Sequence, residues 1–315
     1  VRAARAAAKQ DRTPLPAVVV AQAARGGETV AGITLTHPDR ALWPGITKRM
    51  LADYWIAIAP RALGGIAKRP LALVRCPEGI SGESFFQKHF MRGQPAALRA
   101  ETSKGDPYLA IDDVAGLVAC AQLSAIELHA WGATEADPDH PDQLVFDLDP
   151  GEGVAFPAVI EAAKTVQDAL KARGLAALCR TSGGKGLHVL VPLKPKAGWE
   201  EARQFAKGFA EALSAAEPKR FVSTTPKALR RGKILIDWLR NGRGATAIAS
   251  YAPRAREGAT VATPLAWAEV KVGLDPADFT LETVPARVKH QRKDPWETFD
   301  SLRVPLPAGA RRRVA

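Results

Sequence analysis

Asp147 and Asp149 stand one residue apart at the end of an otherwise apolar run, "LVFDLDPGEG" over residues 144–153, and a third acid, Asp237, sits inside the apolar "ILIDW". Alternate residues of a strand point to the same face, about 6.5–7 Å apart. Both carboxylates of the first pair therefore project from one side while Phe146 and Leu148 fill the other. Carboxylates sharing a face repel unless a cation neutralises them, and an all-oxygen donor set suits Mg²⁺ or Mn²⁺. Two such ions, roughly 3.5–4 Å apart, stabilise the attacking and leaving oxygens of phosphoryl transfer. The simpler reading of the pair is a strand end running into an Asp-Pro-Gly turn. It accounts for Asp149 better than for Asp147 and leaves Asp237 without a partner.

A second candidate is "TSGGKGLHV" over residues 181–189. Consecutive glycines let backbone amides approach phosphate oxygens, and Lys185 adds charge in the same loop. Ser182 and His188 flank it and can hydrogen-bond a triphosphate. Gly186 follows the lysine where a Walker A motif has Ser or Thr, and taken alone the stretch is also an ordinary hairpin loop. "GEGVAF" fails as a dinucleotide fingerprint, since Phe156 replaces its third glycine and Glu152 would repel a pyrophosphate. His129 in "AIELHAW" shares a strand face with Glu127, and a lone strand histidine is ordinarily structural. In "SFFQKH", Phe85 and Phe86 lie beside Lys88, and an exposed aromatic next to a cation can stack on a base. Adjacent phenylalanines are usually half core, so one of the two is expected to stack. Arg254 and Arg256, alternating on a segment read as extended, can clamp phosphates from one side. Lys227, Arg230 and Arg231 read as a solvated basic face.

The elements that must position these residues are legible between about 140 and 240. "QLVFDLD" reads as a strand. The next stretch puts Val159, Ala163, Val166 and Leu170 on one helical face, with Pro157 at its start and Gly174 as its stop. "AALCR" and "LHVLVPL" read as two strands around the Gly-rich loop. A second helix carries Ala202, Phe205, Phe209 and Leu213, and "KILIDW" closes the series as a strand. The order β-α-β-β-α-β is the split βαβ plan shared by ferredoxin-like and RNA-recognition modules. In its usual sheet the first strand lies between the third and fourth. That places Asp147 and Asp149 beside His188 and near Asp237.

Of the 315 residues 46% are hydrophobic and 24% charged, enough for a large core in one large domain or two smaller ones. Lys and Arg outnumber Asp and Glu 44 to 33, which suits a polyanionic partner because clustered cations displace the counterions of nucleic acid. The same balance fits a generally basic surface. Cys76, Cys120 and Cys179 are odd in number and form no C-x-x-C pair, which argues against a disulfide framework and a zinc site. No apolar run approaches the roughly 18–20 residues that span a bilayer, and the start lacks the apolar core of a secretory signal. No membrane partner and a cytoplasmic, nucleoid-associated location are expected. Residues 1–30, rich in Ala, Arg and Pro, read as a linker inside a longer protein. A domain is expected over 31–300, with an N-terminal lobe to about 138 and a catalytic core from about 139, followed by a basic tail or linker over 301–315.

In this order and spacing, "FDLDP", "SGGKGLH" and "ILIDW" resemble the three motifs of the archaeo-eukaryotic primase superfamily. "HPDRALWP", "RCPEGISGESFFQKH" and "IELHAW" narrow the resemblance to the polymerase domain of bacterial ATP-dependent DNA ligase D, over about residues 32–300. The resemblance implies an α+β, archaeo-eukaryotic primase-like fold, with a ferredoxin- or RRM-like catalytic core and an N-terminal α/β lobe. It implies metal binding by Asp147, Asp149 and Asp237 in a two-ion Mn²⁺ or Mg²⁺ site, and triphosphate contacts by Ser182, Lys185 and His188. It further implies nucleotide contacts by His129, Arg240, Arg254 and Arg256, with Phe86 or Phe85 stacking on the incoming base. Residues matching the family's pocket for a recessed 5′-phosphate are His37, Arg40 and Lys48. The implied activity is template-dependent addition of NTP, in preference to dNTP, to a 3′-hydroxyl at gaps or broken duplex ends in bacterial non-homologous end joining. Implied partners are Ku and covalently linked ligase and phosphoesterase domains. Two rivals use the same residues: a catalytically silent DNA-end-binding module, and a metal-dependent phosphodiesterase, in which a Gly-Lys triphosphate loop would be idle.

Overall fold

The computed structural model describes residues 21–23, 27–101 and 107–307. β1 (Ala21–Ala23), β2 (Gly27–Val30) and β3 (Ile33–Thr36) form an antiparallel sheet in that order. Ala31 and Gly32, at φ 48° and 79°, are the paired left-handed residues that match a two-residue hairpin to strand twist. A second hairpin, β4 (Ala41–Trp43) and β5 (Ile46–Thr47), leads into α1 (Lys48–Ile66). Thr47 sets the start of that helix, its hydroxyl accepting from the Met50 amide at 3.2 Å as an N-cap does. β6 (Leu71–Arg75), β7 (Phe85–Gln87), β8 (Arg99–Glu101) and β9 (Tyr108–Ala110) precede α2 (Val114–Gln122), capped by Asp113, and β10 (Ala125–Trp131). α1 and α2 bury their apolar faces in one core with Leu71, Leu73, Leu109 and Leu128.

The second half follows the expected order, with one short strand added: β11 (Gln143–Pro150), α3 (Phe156–Lys171), β12 (Leu178–Thr181), β13 (Leu187–Pro192), α4 (Trp199–Ala216), a short β14 (Phe221–Val222) and β15 (Ile234–Asp237). The chain then makes β16 (Thr246–Ile248), β17 (Pro264–Leu265) and α5 (Thr283–His290). The catalytic sheet has the order β14-β15-β11-β13-β12-β17, so β11 lies between β13 and β15 and is antiparallel to both. Val159, Ala163, Val166 and Leu170 of α3, with Ala202, Phe205 and Phe209 of α4, are buried in the core beneath this sheet.

Three expectations about extent change. β16 pairs antiparallel with β10, and Ile248, Tyr251, Val261 and Val284 belong to the N-terminal core. The two lobes are therefore not sequential blocks meeting near residue 138, because the chain returns to complete the first sheet after building the second. The segment read as linker over 1–30 contains β1 and β2, and Val30 is buried; residues 1–20 and 24–26 lie outside the described residues. The basic tail read over 301–315 is packed as far as 307. Lys194 donates to the Val304 carbonyl at 2.9 Å, Leu306 is buried, and Arg303 reaches the buried Asp142 at 3.1 Å. Residues 308–315 lie outside the described residues. Cys76, Cys120 and Cys179 are free and buried, and among the described residues no helix is long and apolar enough to cross a membrane.

Candidate active site

Asp147 occupies the centre of a rung that crosses four strands. It stands opposite Asp237 of β15 on one side and His188 of β13 on the other, and His188 stands opposite Arg180 of β12. Residues directly opposite in a ladder have Cβ atoms about 4.5–5.5 Å apart, so strand pairing alone gathers four polar side chains separated by up to 90 positions in sequence. His188 Nε2 lies 3.4 Å from Asp147 Oδ1. Arg180 donates to His188 Nδ1 from Nε at 3.3 Å and from a terminal nitrogen at 3.1 Å, and to Ser250 Oγ at 3.0 Å. A guanidinium only donates, so Nδ1 is the acceptor and the imidazole proton sits on Nε2, facing Asp147. Burial pulls Arg180 down to about 9, still protonated at neutral pH. Burial also lowers His188, against the pull of Asp147.

The acids differ in environment. Burial would raise the Asp147 carboxyl, but His188, Arg240 and Arg254 outweigh it and the net shift is downward. Asp237 is raised, by burial first and by the Asp147 charge as well, although Arg240 at 3.4 Å and the Leu239 amide at 2.8 Å offset part of that. Asp149, two residues along β11, is ion-paired with Arg230. Arg230 is thus not part of a solvated basic face; its fold-back onto Asp149 replaces hydration with a carboxylate partner. Asn241 fixes the turn that follows Asp237: its side chain accepts from the Val145 amide at 2.7 Å and donates to the Val145 and Trp238 carbonyls, each at 2.8 Å. Where β15 ends, the Asn241 amide continues the pairing of β11 in place of a backbone.

Among the described residues no three His, Cys, Asp or Glu side chains are gathered closely enough to form a metal cluster. Each of the three acids instead has a protein partner: His188 for Asp147, Arg230 for Asp149 and Arg240 for Asp237. The donor set still fits a hard divalent cation. Asp147 and Asp237 face each other with oxygen ligands only, and the repulsion that raises Asp237 is what such an ion relieves.

The Gly-rich loop joins β12 to β13 directly above this rung. Ser182 Oγ accepts from the amides of Gly184 at 3.2 Å and Gly186 at 3.3 Å, closing the loop on itself. Gly183 has φ +66°, and a Cβ there would meet backbone atoms of Val261 and Ala262 at 3.2 and 3.0 Å; glycine is required on both counts. Arg254 donates to the Ser182 carbonyl at 2.9 Å, and the Thr260 hydroxyl to the Gly183 carbonyl at 2.5 Å. Arg254 and Arg256 lie in a tight turn rather than an extended segment, the Arg256 amide bonding the Arg254 carbonyl at 2.8 Å. The Trp43 indole binds both of their carbonyls, at 3.2 and 3.0 Å. Lys185 is exposed at the loop tip.

His129 is tied to Glu127, Nε2 to Oε2 at 2.7 Å, and its ring meets Phe86 edge-on at 5.7 Å between centroids. Neither phenylalanine is core: Phe85 is 45% and Phe86 62% exposed. They sit on β7 at the edge of the N-terminal sheet, where Arg75 lies over the Phe85 ring at 5.3 Å. His37, Arg40 and Lys48 come together around the β4–β5 hairpin, with the Lys48 amide on the Arg40 carbonyl at 2.9 Å. His37 is exposed and Arg40 half-buried, bonding the Pro77 carbonyl at 2.8 Å. Lys48 is buried with its ammonium on the Thr36 and Gln122 carbonyls, each at 3.0 Å, and burial, with Arg40 and Arg75 nearby, lowers it to about 8.

Three residues of this site, Arg180, Asn241 and Thr260, are not singled out by the sequence reading, and Glu127 enters it only as sharing a strand face with His129. Arg180 had a signal, a charge ending the apolar "AALC" as Asp147 ends "LVF". Asn241 and Thr260 lie in irregular segments and carry none.

Residues 47–296 match the family model described as LigD, primase-polymerase domain. The chain is 35% identical over 308 residues to the multifunctional non-homologous end joining protein LigD of Pseudomonas aeruginosa, covering 96% of this chain and 37% of that protein. It is 39% identical over 266 residues to the LigD DNA repair protein of Mycobacterium tuberculosis, covering 80% of this chain and 35% of that one. The chain thus spans little more than a third of these relatives. A solved structure, the polymerase domain of M. tuberculosis ligase D in complex with DNA, superposes with a TM-score of 0.77 at 37% identity, over 85% of this chain and 98% of that one.

Proposed function

The chain belongs to the LigD primase-polymerase domain family, nucleotidyltransferases of α+β, primase-like fold, and from that premise we propose how its site works and in what setting. It is a template-dependent polymerase that adds nucleotides, NTP in preference to dNTP, to a 3′-hydroxyl at gaps or broken ends in bacterial non-homologous end joining. The observation that carries this reading is the Asp237–Asp147–His188–Arg180 rung directly beneath a Gly-rich loop. Acids for a divalent cation and amides for a triphosphate meet at one strand end.

Asp147, Asp149 and Asp237 would hold Mg²⁺ or Mn²⁺, which when bound supplies charge neutralisation and activation of the attacking hydroxyl. The protein's own groups do the positioning. Ser182, Lys185 and the loop amides bind the triphosphate, and His188 joins them only by turning its Nε2 proton from Asp147 toward the phosphates. Arg240, Arg254 and Arg256 add cationic donors, and Phe86, backed by His129, offers a stacking face to the base. Arg230, paired with Asp149, would have to give up that carboxylate for it to hold a cation. Because a bound cation would help deprotonation, no dedicated general base is demanded of His188 or His129. His37, Arg40 and Lys48 receive a downstream 5′-phosphate, Lys48 through the N–H that its two carbonyl partners leave over. Ku and linked ligase and phosphoesterase domains are the partners this setting supplies, and the location is cytoplasmic.

The test is primer extension on a gapped duplex with or without a downstream 5′-phosphate, comparing NTP with dNTP in Mn²⁺ and Mg²⁺. Extension that is abolished by EDTA and by Asp147→Ala, and favoured by NTP and by the 5′-phosphate, supports the reading. Unchanged extension by Asp147→Ala would overturn the catalytic assignment, and shortening of the labelled strand without NTP would favour a phosphodiesterase.

A further inference from the structure

Glu127 is a buried carboxylate with three partners from two parts of the chain, its own strand and the turn after β16. Oε2 binds His129 Nε2 at 2.7 Å, while Oε1 accepts from Arg254 Nε at 3.0 Å and from the Ala255 amide at 2.9 Å. The β10–β6 register shifts between Ala125 and Glu127, and such bulges commonly re-aim side chains beside functional sites. Past the bulge, Glu127 and His129 face the same side. Each partner leads on to a different end of the nucleotide site. His129 meets the exposed Phe86 ring edge-on at 5.7 Å, and Arg254 donates to the carbonyl of Ser182 at 2.9 Å, one residue before the first glycine of the triphosphate loop.

We propose that Glu127 is a positioning residue that holds the base-stacking platform of the N-terminal lobe in register with the triphosphate loop of the catalytic sheet. The proposal rests on the reading of that site as a nucleotide site. The connection is continuous: Phe86 to His129 to Glu127 to Arg254 to Ser182, from β7 and β10 of one sheet to the loop between β12 and β13 of the other. A buried ion pair kept only for stability is replaceable by apolar side chains of similar volume. This one keeps both partners at the cleft wall, with Arg254 28% and His129 13% exposed at the side chain. Among the described residues neither His129 Nδ1 nor the second terminal nitrogen of Arg254 has a hydrogen-bond partner, so both retain capacity for a ligand while Glu127 fixes their opposite edges. Because distance between base and phosphates in a nucleotide is set by its sugar, a platform and loop out of register lose binding of the whole molecule rather than of one group.

The experiment is steady-state primer extension by Glu127→Ala, Glu127→Gln, Arg254→Ala and the Glu127→Ala/Arg254→Ala double variant, with NTP concentration varied on a saturating gapped duplex. Expected for Glu127→Ala is an increase in the NTP KM on the order of 10–100-fold with kcat changed by less than about 3-fold, and unchanged affinity for the duplex. Glu127→Gln keeps an acceptor for Arg254 and Ala255 and recovers part of the loss. In the Arg254→Ala background the effect of Glu127→Ala shrinks several-fold, because the route to the loop is already broken. Strict additivity, or a fall in kcat with the KM unmoved, would overturn the proposal. If Glu127→Ala does not fold, the Glu127→Gln KM decides, a wild-type value overturning it. Wild-type extension that does not depend on Asp147 defeats the nucleotide-site reading itself. Asp147-dependent extension with an unmoved KM in the Glu127 variants defeats this inference alone.

Discussion

A methyl group at Gly186 probes the joint between the Gly-rich loop and β11, the strand that carries Asp147 and Asp149. Gly186 has ordinary backbone φ, so a Gly186→Ala change is not strained by conformation. Its problem is space: a Cβ there falls well inside contact distance of the Leu148 carbonyl oxygen, with the carbonyl carbon at 3.2 Å and Asp149 Cα at 3.6 Å. All three atoms are backbone of β11 between the acids Asp147 and Asp149, and none can swing aside. Relief requires a shift of roughly 1 Å, and overpacking of this kind destabilises by about 1–3 kcal/mol. For a domain of this size that lowers Tm by a few degrees, at about 2–4 °C per kcal/mol. β11 is held by ladders on both edges, so the loop yields, and the Gly184 and Gly186 amides leave Ser182 Oγ. A 1 Å misplacement of a positioning group reduces kcat/KM by about 100-fold. Gly184→Ala is the control. Its Cβ would meet Arg256 at 3.0 Å and Ser182 Oγ at 3.3 Å, both movable side-chain ends, and a loss within about 10-fold is expected. The assay is primer extension against NTP concentration together with thermal melting. If Gly186→Ala melts and turns over like the wild type, the close packing of loop on strand is wrong, and with it the argument that this contact aims the loop.

Asp142 is buried between Arg69, at 2.6 and 2.8 Å, and Arg303, at 3.1 Å; Asp142→Ala strands the buried Arg69 guanidinium, while Arg303 keeps Asp300 and the Leu193 carbonyl, and should lower stability in urea by about 3–5 kcal/mol, and a loss under 1 kcal/mol would contradict it. Asn241→Ala leaves the buried Val145 amide and carbonyl without partners, with an expected loss of about 2–4 kcal/mol and a weakened grip on Arg240, read as a higher NTP KM. The Glu127 carboxyl is held down to about 2, burial opposing and His129 and Arg254 prevailing. A carboxyl depressed in the folded state stabilises above its unfolded pKa and loses that contribution as pH falls through the folded one. The contribution, on the order of 3 kcal/mol, is therefore present above pH 4.5 and lost toward pH 2. Denaturation at pH 7, 4.5 and 3 should show the gap between wild type and Glu127→Gln closing with acid, and a gap that widens would refute the sign.

The sequence by itself determined the catalytic half in some detail. Apolar spacing marked α3 and α4, short apolar runs marked β11, β13 and β15, and the β-α-β-β-α-β order predicted the sheet that sets Asp147 between His188 and Asp237. These signals are local: which side chains share a helix or strand face depends only on neighbours two to four residues away. The ends and the lobe boundary were less legible, because Gly27–Val30 and Val304 are held by partners elsewhere in the chain and have no periodicity of their own. Only the tertiary structure decided which cation meets which acid. Arg230 looked like one of several surface cations, and folding turned it onto Asp149. Arg180 ended an apolar run unremarked until β12 laid it beside His188. Glu127 and Arg254 are separated by 127 positions and meet because β16 returns to pair with β10, carrying the turn that follows it over the Gly-rich loop. Spacing along the chain cannot encode such a contact, since its geometry exists only once two sheets have each formed and packed.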